Sequence, residues 1–269
     1  MKKTLLAIAL LAFAAAAPAQ KNEARDTDRN LLQAALKGWT VRLGAGFQLG
    51  GTSPLPLPAE IRAIESFRPT LLYYIGADAD KTFGSSPWGL RLGLRLETKG
   101  METDASVKNY GMRITEESKD PSGNAVFSDV KGVWTGRVKT EVHNTYITIP
   151  LLATWQAAPR WKVFAGPYFS VMTSGRFAGT IFEGTFRDGD PTGDRTAFSD
   201  GNTAPYDFSS DLRRFQWGVE VGADFRAYKH LYANIALHWG LNDIFRRDFD
   251  VVRFSMYPIY GSLGFVYAF

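Results

Sequence analysis

From about position 39 the sequence alternates apolar and other residues with a period of two, the signature of strands whose two faces meet different surroundings. The pattern is plainest at the C-terminus, where Tyr257, Ile259, Leu263, Phe265, Tyr267 and Phe269 share one face. Tyr260, Ser262, Gly264, Val266 and Ala268 share the other, which is smaller or more polar on average. The first segment of this kind, 39–49, sets Val41, Leu43, Ala45, Phe47 and Leu49 against Thr40, Arg42, Gly44, Gly46 and Gln48. A less regular strand is predicted over 67–77. The third, 88–98, opposes Trp88, Leu90, Leu92, Leu94 and Leu96 to Arg91, Gly93, Arg95 and Glu97. Segments 140–156, 161–173, 215–226 and 231–241 follow the same rule, and with 257–269 they bring the predicted strands to eight.

The connections alternate in length. Those at 50–66, 99–139, 174–214 and 242–254 are long, while 78–87, 157–160 and 227–230 are short. Loops of the longer kind are uncommon in compact soluble domains. Long loops on one side, short turns on the other and an even strand count are features of outer-membrane barrels. The prediction is therefore an all-β, eight-stranded, antiparallel up-and-down transmembrane barrel with long extracellular loops and both termini in the periplasm. Within those loops, 133–140 and 177–187 are predicted to carry the strands onward as hairpins. Alternation does not say which face points outward, so a soluble barrel with an apolar interior competes. The near absence of charge on the apolar face favours lipid outside. Trp39, Trp88, Trp155, Trp161, Phe225 and Phe269 fall at the short-turn ends of their strands, as an aromatic girdle at a membrane–water interface would.

The N-terminus changes the picture in one respect. Lys2 and Lys3, an apolar run over 5–16 and Ala17-Pro18-Ala19 read as a secretory signal peptide, 1–19. A periplasmic segment, 20–38, and the barrel, 39–269, would follow. Loss of the two lysines lowers the formal charge from +4 to +2, too little to suggest nucleic acid as a partner. Cysteine is absent, which excludes disulfides and thiolate metal sites in an exported chain. Beyond the signal no apolar run reaches about 18 residues, so any crossing must be made by strands.

Residues Tyr146, Ile149, Pro150, Leu151 and Leu152, followed past a short turn by Gly166, Pro167 and Tyr168, carry a family resemblance. They resemble the outer-membrane β-barrel domain family that includes PorT-like proteins, in which a Tyr-x-x-Ile-Pro-Leu-Leu strand precedes a Gly-Pro-Tyr strand. The resemblance implies an eight-stranded barrel with a periplasmic N-terminus. One branch of that family works in protein secretion, and no motif here places this chain in that branch.

The polar face supplies the candidate chemistry. Arg42, Arg91, Arg95, Glu97, Lys162, Glu220, Asp224, Arg226 and His238 would point inward, and eight strands enclose just enough room for side chains to fill. Paired charges would then form a plug. His238 with Glu220 or Asp224 and Ser262 could compose a catalytic triad, but no local motif fixes them. The segment 188–194 has the alternating acids of a calcium loop yet lacks its closing glutamate, Ser199 standing there. The expected role is non-enzymatic: a structural or interaction barrel, with an accessory role in secretion or surface display as its specific form. A membrane-embedded lipid-modifying enzyme and a small passive channel are the alternatives. No cofactor or metal is expected; the expected partners are outer-membrane lipid and envelope proteins met through the long loops.

Overall fold

The structure, a computed structural model, describes residues 38–70, 72–119 and 125–269. The expected signal peptide and, apart from Gly38, the expected periplasmic segment lie outside the described residues. Ten strands run in chain order: β1 (Trp39–Pro54), β2 (Ile61–Arg68), β3 (Leu72–Thr82), β4 (Trp88–Lys119), β5 (Ala125–Ala158), β6 (Trp161–Asp188), β7 (Arg195–Asp207), β8 (Phe215–Tyr228), β9 (Leu231–Gly240) and β10 (Met256–Ala268). Among the described residues no helix is long and apolar enough to cross a membrane.

Eight strands close a ring in the order β1–β3–β4–β5–β6–β8–β9–β10, each antiparallel to the next. Pairing of β1 with β10, from Arg42 opposite Ala268 to Pro54 opposite Met256, closes it. Every connection between ring neighbours follows the chain, so the barrel is an up-and-down meander. Closure matters because lipid offers no partner to an open strand edge.

The exposure of the two faces decides the solvent. Ile75, Leu263 and Phe265 are 58%, 63% and 64% exposed, whereas Arg91, Glu97 and Asp224 are 2%, 0% and 1% exposed. A water-soluble barrel would place these sets the other way round. An apolar exterior around a charged interior is stable only where the surroundings are hydrocarbon. The barrel is transmembrane.

Three expectations shift. The second ring strand is Leu72–Thr82, not 67–77, because Asp78 and Asp80 belong to the interior face and not to a turn. The expected loop 99–139 is largely ladder, since β4 and β5 run on together for 32 and 34 residues. Likewise β6 continues to Asp188 and returns as β7, while β2 adds to β4. Segments 133–140 and 177–187 both lie in these extensions.

Beyond the span the interior changes character. The β4–β5 register shifts between Val107 and Tyr110, where Asn109 adopts φ 53°, and Glu183 on β6 adopts φ 51° at a second irregularity. Such bulges bend strands and re-aim side chains. Met101, Val107 and Ile181 before these bulges, and Met112, Trp134 and Phe186 beyond them, belong with Phe208 and Phe245 to a second, apolar core.

The seam that closes the ring is tight. A Cβ added at Gly264 would lie 2.3 Å from the Tyr74 hydroxyl and 2.5 Å from the Ala45 carbonyl oxygen. The Tyr74 ring therefore lies across β10 and β1 only because Gly264 and Gly46 carry no side chain. Gly264→Val is expected to destabilise the barrel by about 1–3 kcal/mol through overpacking, measured by denaturant titration in detergent micelles. Leu263→Val, on the lipid face, is expected to leave the midpoint within experimental error.

Candidate functional site

The interior is built by one residue in two from each ring strand, and its charged side chains sort into two groups along the barrel axis. Nearer the short turns, the Asp80 carboxylate accepts Arg42 Nη1 at 2.9 Å and Arg91 Nε at 2.6 Å, with Lys162 Nζ at 3.3 Å. Asp224 accepts Arg42 Nη1 at 2.8 Å and Arg91 Nη2 at 2.6 Å, and its other oxygen accepts Asn234 Nδ2 at 2.7 Å. Two arginines thus share two aspartates from strands on opposite sides of the ring. Arg91 also rests its guanidinium 4.6 Å from the centre of the Phe164 ring.

Nearer the long hairpins, Glu220 accepts both terminal nitrogens of Arg95 at 3.2 and 3.3 Å and lies 3.3 Å from His238 Nδ1. Glu97 accepts Gln48 Nε2 at 2.9 Å and the Thr148 hydroxyl at 2.7 Å, and pairs with Lys99 Nζ at 2.9 Å. Lys99 is boxed by the rings of Tyr146, Tyr168 and Tyr260, with centroids 5.3, 4.9 and 6.0 Å away. Each charge is taken out of water, which is costly unless opposed and hydrogen-bonded. Here opposition comes from several strands at once, so the network also fixes which strands sit beside which.

Of the nine residues singled out in the sequence, Arg42, Arg91, Arg95, Glu97, Lys162, Glu220, Asp224 and His238 meet in this interior. Arg226 does not. It sits exposed at the short-turn rim and donates to the Pro159 carbonyl oxygen at 3.0 Å. It keeps the parity of Asp224, but it lies near the end of β8 at the short turn, beyond the enclosed interior. Asp80 and Lys99 are central and were missed, because a charge near a strand end reads as turn or loop. Their parity with Arg91, Arg95 and Glu97 or with Tyr74 and Gly76 was the signal available.

The conceivable triad is geometrically real. Ser262 Oγ lies 3.0 Å from His238 Nε2, and Glu220 stands behind the other ring nitrogen. Yet Ser262 is only 5% exposed, and Glu220 also accepts Arg95, so all three groups are enclosed in the interior network. In the turn at 188–194, Asp190 Oδ1 accepts the backbone and hydroxyl of Thr192 at 2.7 and 2.6 Å. Those two bonds hold its carboxyl below the usual range and make the segment a self-bonded turn.

At the short-turn end, Trp88 lies 6.2 Å from Trp155 and Trp161 lies 4.9 Å from Phe225, centroid to centroid. Lys81 Nζ caps Trp39 at 5.6 Å, and Phe269 packs edge-on against Tyr267 at 5.0 Å. A second exposed aromatic set, not singled out in the sequence, stands at the far end of the span: Tyr73, Phe169, Phe215, Trp217 and Trp239. Trp217 and Phe225 are eight positions apart on β8, close to the roughly 9–11 residues with which a tilted strand crosses a membrane.

Removing one partner from the shared pairs leaves a buried charge exposed to nothing. Asp224→Ala is expected to cost about 3–5 kcal/mol in denaturant titration, because Arg42 and Arg91 both lose an oxygen. Asp250→Ala, which breaks the exposed 2.8 Å pair with Lys131, is expected to give no measurable change.

A family model described as an outer membrane protein beta-barrel domain matches residues 19–246. No curated protein matches the chain. Similar solved structures include Ail, the attachment invasion locus protein of Yersinia pestis, at 7% identity over 86% of this chain and 97% of that one, with TM-score 0.34. Neisserial surface protein A matches at 10% identity over 87% and 98%, TM-score 0.32. The translocator domain of the autotransporter NalP from Neisseria meningitidis matches at 10% identity over 99% of each chain, TM-score 0.22. With the family match spanning most of its length and a closed eight-stranded ring around a charged interior, the chain belongs to the outer membrane protein beta-barrel domain family.

Proposed function

We propose that this protein is a non-enzymatic barrel of the bacterial outer membrane that presents a rigid, strand-built extension to partners outside the cell. The observation that carries this reading is the surplus length of β4, β5 and β6. A membrane-crossing strand needs about 9–11 residues, and these have 32, 34 and 28. The surplus is an ordered body with its own core, not loose loop. Trp134 packs edge-on against Phe198 at 5.3 Å, and Phe208 contacts Phe177, Tyr206, Phe245 and Phe249. Arg113 bonds Asp211 beneath these rings, and burial raises the Tyr110 and Tyr206 phenols above their ordinary pKa, which keeps both neutral. Rigid extension costs a partner less ordering entropy than flexible loops would.

In this reading the short turns and both termini face the periplasm, residues 1–19 are a signal peptide, and 20–38 a periplasmic segment. The nine interior residues named from the sequence, less Arg226, act as a stabilising plug. The aromatic girdle sits at the periplasmic interface. An accessory role in secretion or display is the specific form of the proposal. Conduction is disfavoured by the interlocked charges and the apolar core stacked above them, and lipid chemistry by the burial of Ser262.

Orientation and role are tested together. With cysteine absent from the chain, Thr192→Cys and Arg160→Cys give single thiols at opposite ends. A membrane-impermeant maleimide on intact cells is expected to label position 192 and not 160; the reverse would overturn the orientation. Replacing residues 110–133 with a short turn is expected to preserve the heat-modifiable gel mobility of a folded barrel while removing co-purifying envelope or surface proteins. An unchanged set of co-purifying proteins would contradict the role given to the extension.

A further inference from the structure

The barrel wall has a gap just beyond the lipid-facing band. Among the described residues the last pair of β1 with β3 is Gln48 opposite Leu72, and the ladder of β2 is to β4 alone. The upper part of β1 therefore faces β2 with no backbone ladder between them. In that slot the Thr52 N–H donates to the Met101 sulfur at 3.2 Å, where a ring strand would have supplied a carbonyl. Behind the slot lies a cavity of about 230 Å³ that reaches Met101, Ala105, Val107, Val138, Thr140 and Phe177. Gly51 stands at its mouth, where a Cβ would come within 3.0 Å of both Met101 Sδ and the Phe67 ring.

From this we infer that the slot admits an alkyl chain of a membrane amphiphile, held with its tail among Ala105, Val107 and Val138. The mouth continues the lipid-facing surface. Ile259 lines it and pairs with Trp239 in the exposed aromatic set, while Phe67 and Leu49 beside it are about half exposed. An occupant therefore arrives from the hydrocarbon without crossing water. The lining carries no charged side chain, and its hydroxyls, on Thr52, Ser53, Thr103, Tyr110 and Thr140, are outnumbered by apolar side chains. Two of them are already spent, Ser53 on the Pro54 carbonyl and Thr140 on the Tyr206 hydroxyl, so the cavity suits methylenes better than a charged head group. A strand from another protein is the rival occupant for an unpaired edge, but Pro54 lines the slot and Pro56 and Pro58 follow it in the chain, and prolines blunt edges against strand addition. In proportion to a cavity of about 150 Å³ that accepts benzene, the volume holds roughly eight to ten carbons. The leaflet that supplies the chain, the outer one, rests on the orientation proposed above; the pocket does not.

The full chain in amphipol is titrated with N-decyl dansylamide, whose free alkyl end can enter the cavity while the fluorophore stays at the mouth, and the bound probe is displaced with fatty acids of six to fourteen carbons. Saturable binding of one probe is expected, with competition strengthening about fourfold per added methylene until the pocket is full near ten carbons. Ala105→Phe, which fills the cavity, is expected to abolish the saturable component. Val107→Ala, which enlarges it, is expected to shift the plateau to a longer chain, and it keeps the test decisive if the first variant fails to fold. Non-saturable uptake equal in all three proteins would mean that the probe only partitions into the lipid-facing band, and would overturn the inference. Displacement by an alternating Thr-Val hexapeptide but not by decanoate would assign the slot to a strand and would overturn it equally. Neither result bears on whether the extension binds proteins, so the two proposals fail separately.

Discussion

A charged side chain inside a narrow membrane barrel has only other side chains to bind, and the rest of this structure follows from meeting that condition. Asp80 and Asp224 each accept from both Arg42 and Arg91, so four strands are tied through one arrangement of charges. Arg95 and His238 converge on Glu220, and Lys99 with Gln48 and Thr148 on Glu97. These pairings do not by themselves make the barrel more stable than an apolar filling would. They penalise every register in which a charge lacks its partner. Interior glycines serve the same end by giving large polar side chains somewhere to lie. A Cβ at Gly93 would fall 2.2 Å from Asp78 Oδ1 and 2.9 Å from Pro150 Cγ, so that glycine makes room for a carboxylate and an inward proline together.

The interior changes from charged to apolar along the barrel axis, and the change tracks the solvent outside. Where the wall faces hydrocarbon, polar residues are turned in; where the wall rises into water, apolar residues are turned in and the outer face carries ion pairs such as Lys139–Glu102 and Arg137–Asp104. One continuous strand, β4, does both, with Arg95 and Glu97 buried low and Met112 and Ile114 buried high. The bulge at Asn109 lets it change inward parity between the two. The lower storey anchors and seals, and the upper one gives a shaped surface that does not depend on loop ordering.

Most of the ring was legible because lipid contact demands large apolar residues at every second position, and few other environments do. Strand phase was read correctly on β1, β4 and β10 from residues such as Leu43, Leu92 and Phe265, all of which are exposed. Legibility failed where contrast between faces fell. On β3 the outward positions Ala77 and Ala79 are small and the inward Asp78 and Asp80 are charged, so a strand resembled a turn. Above the membrane the outward face of β4 and β5 is rich in Thr, Lys and Glu, which read as loop although Val107, Val138 and Val142 still turned inward. Within the interior, the types of side chain could be read but not their partners. Arg91 and Asp224 are 133 positions apart, and only closure of the ring brings them to 2.6 Å. The open slot beside Gly51 left no sequence signal, since it arises from where one ladder stops.

The central claim is the inversion itself, apolar residues against lipid and charged residues sealed within, and it is tested most directly with the chain's own tryptophans. Two single-tryptophan proteins, one keeping Trp217 and one keeping Trp134, are reconstituted in phosphatidylcholine vesicles whose acyl chains carry bromine. Trp217 stands 41% exposed on the outer face of β8, and Trp134 is wholly buried in the upper core. The account predicts strong quenching of Trp217 and none of Trp134. Quenching of neither, with protein left in the aqueous phase, would mean a soluble barrel; quenching of Trp134 would mean that the upper core is open to lipid and not a closed body.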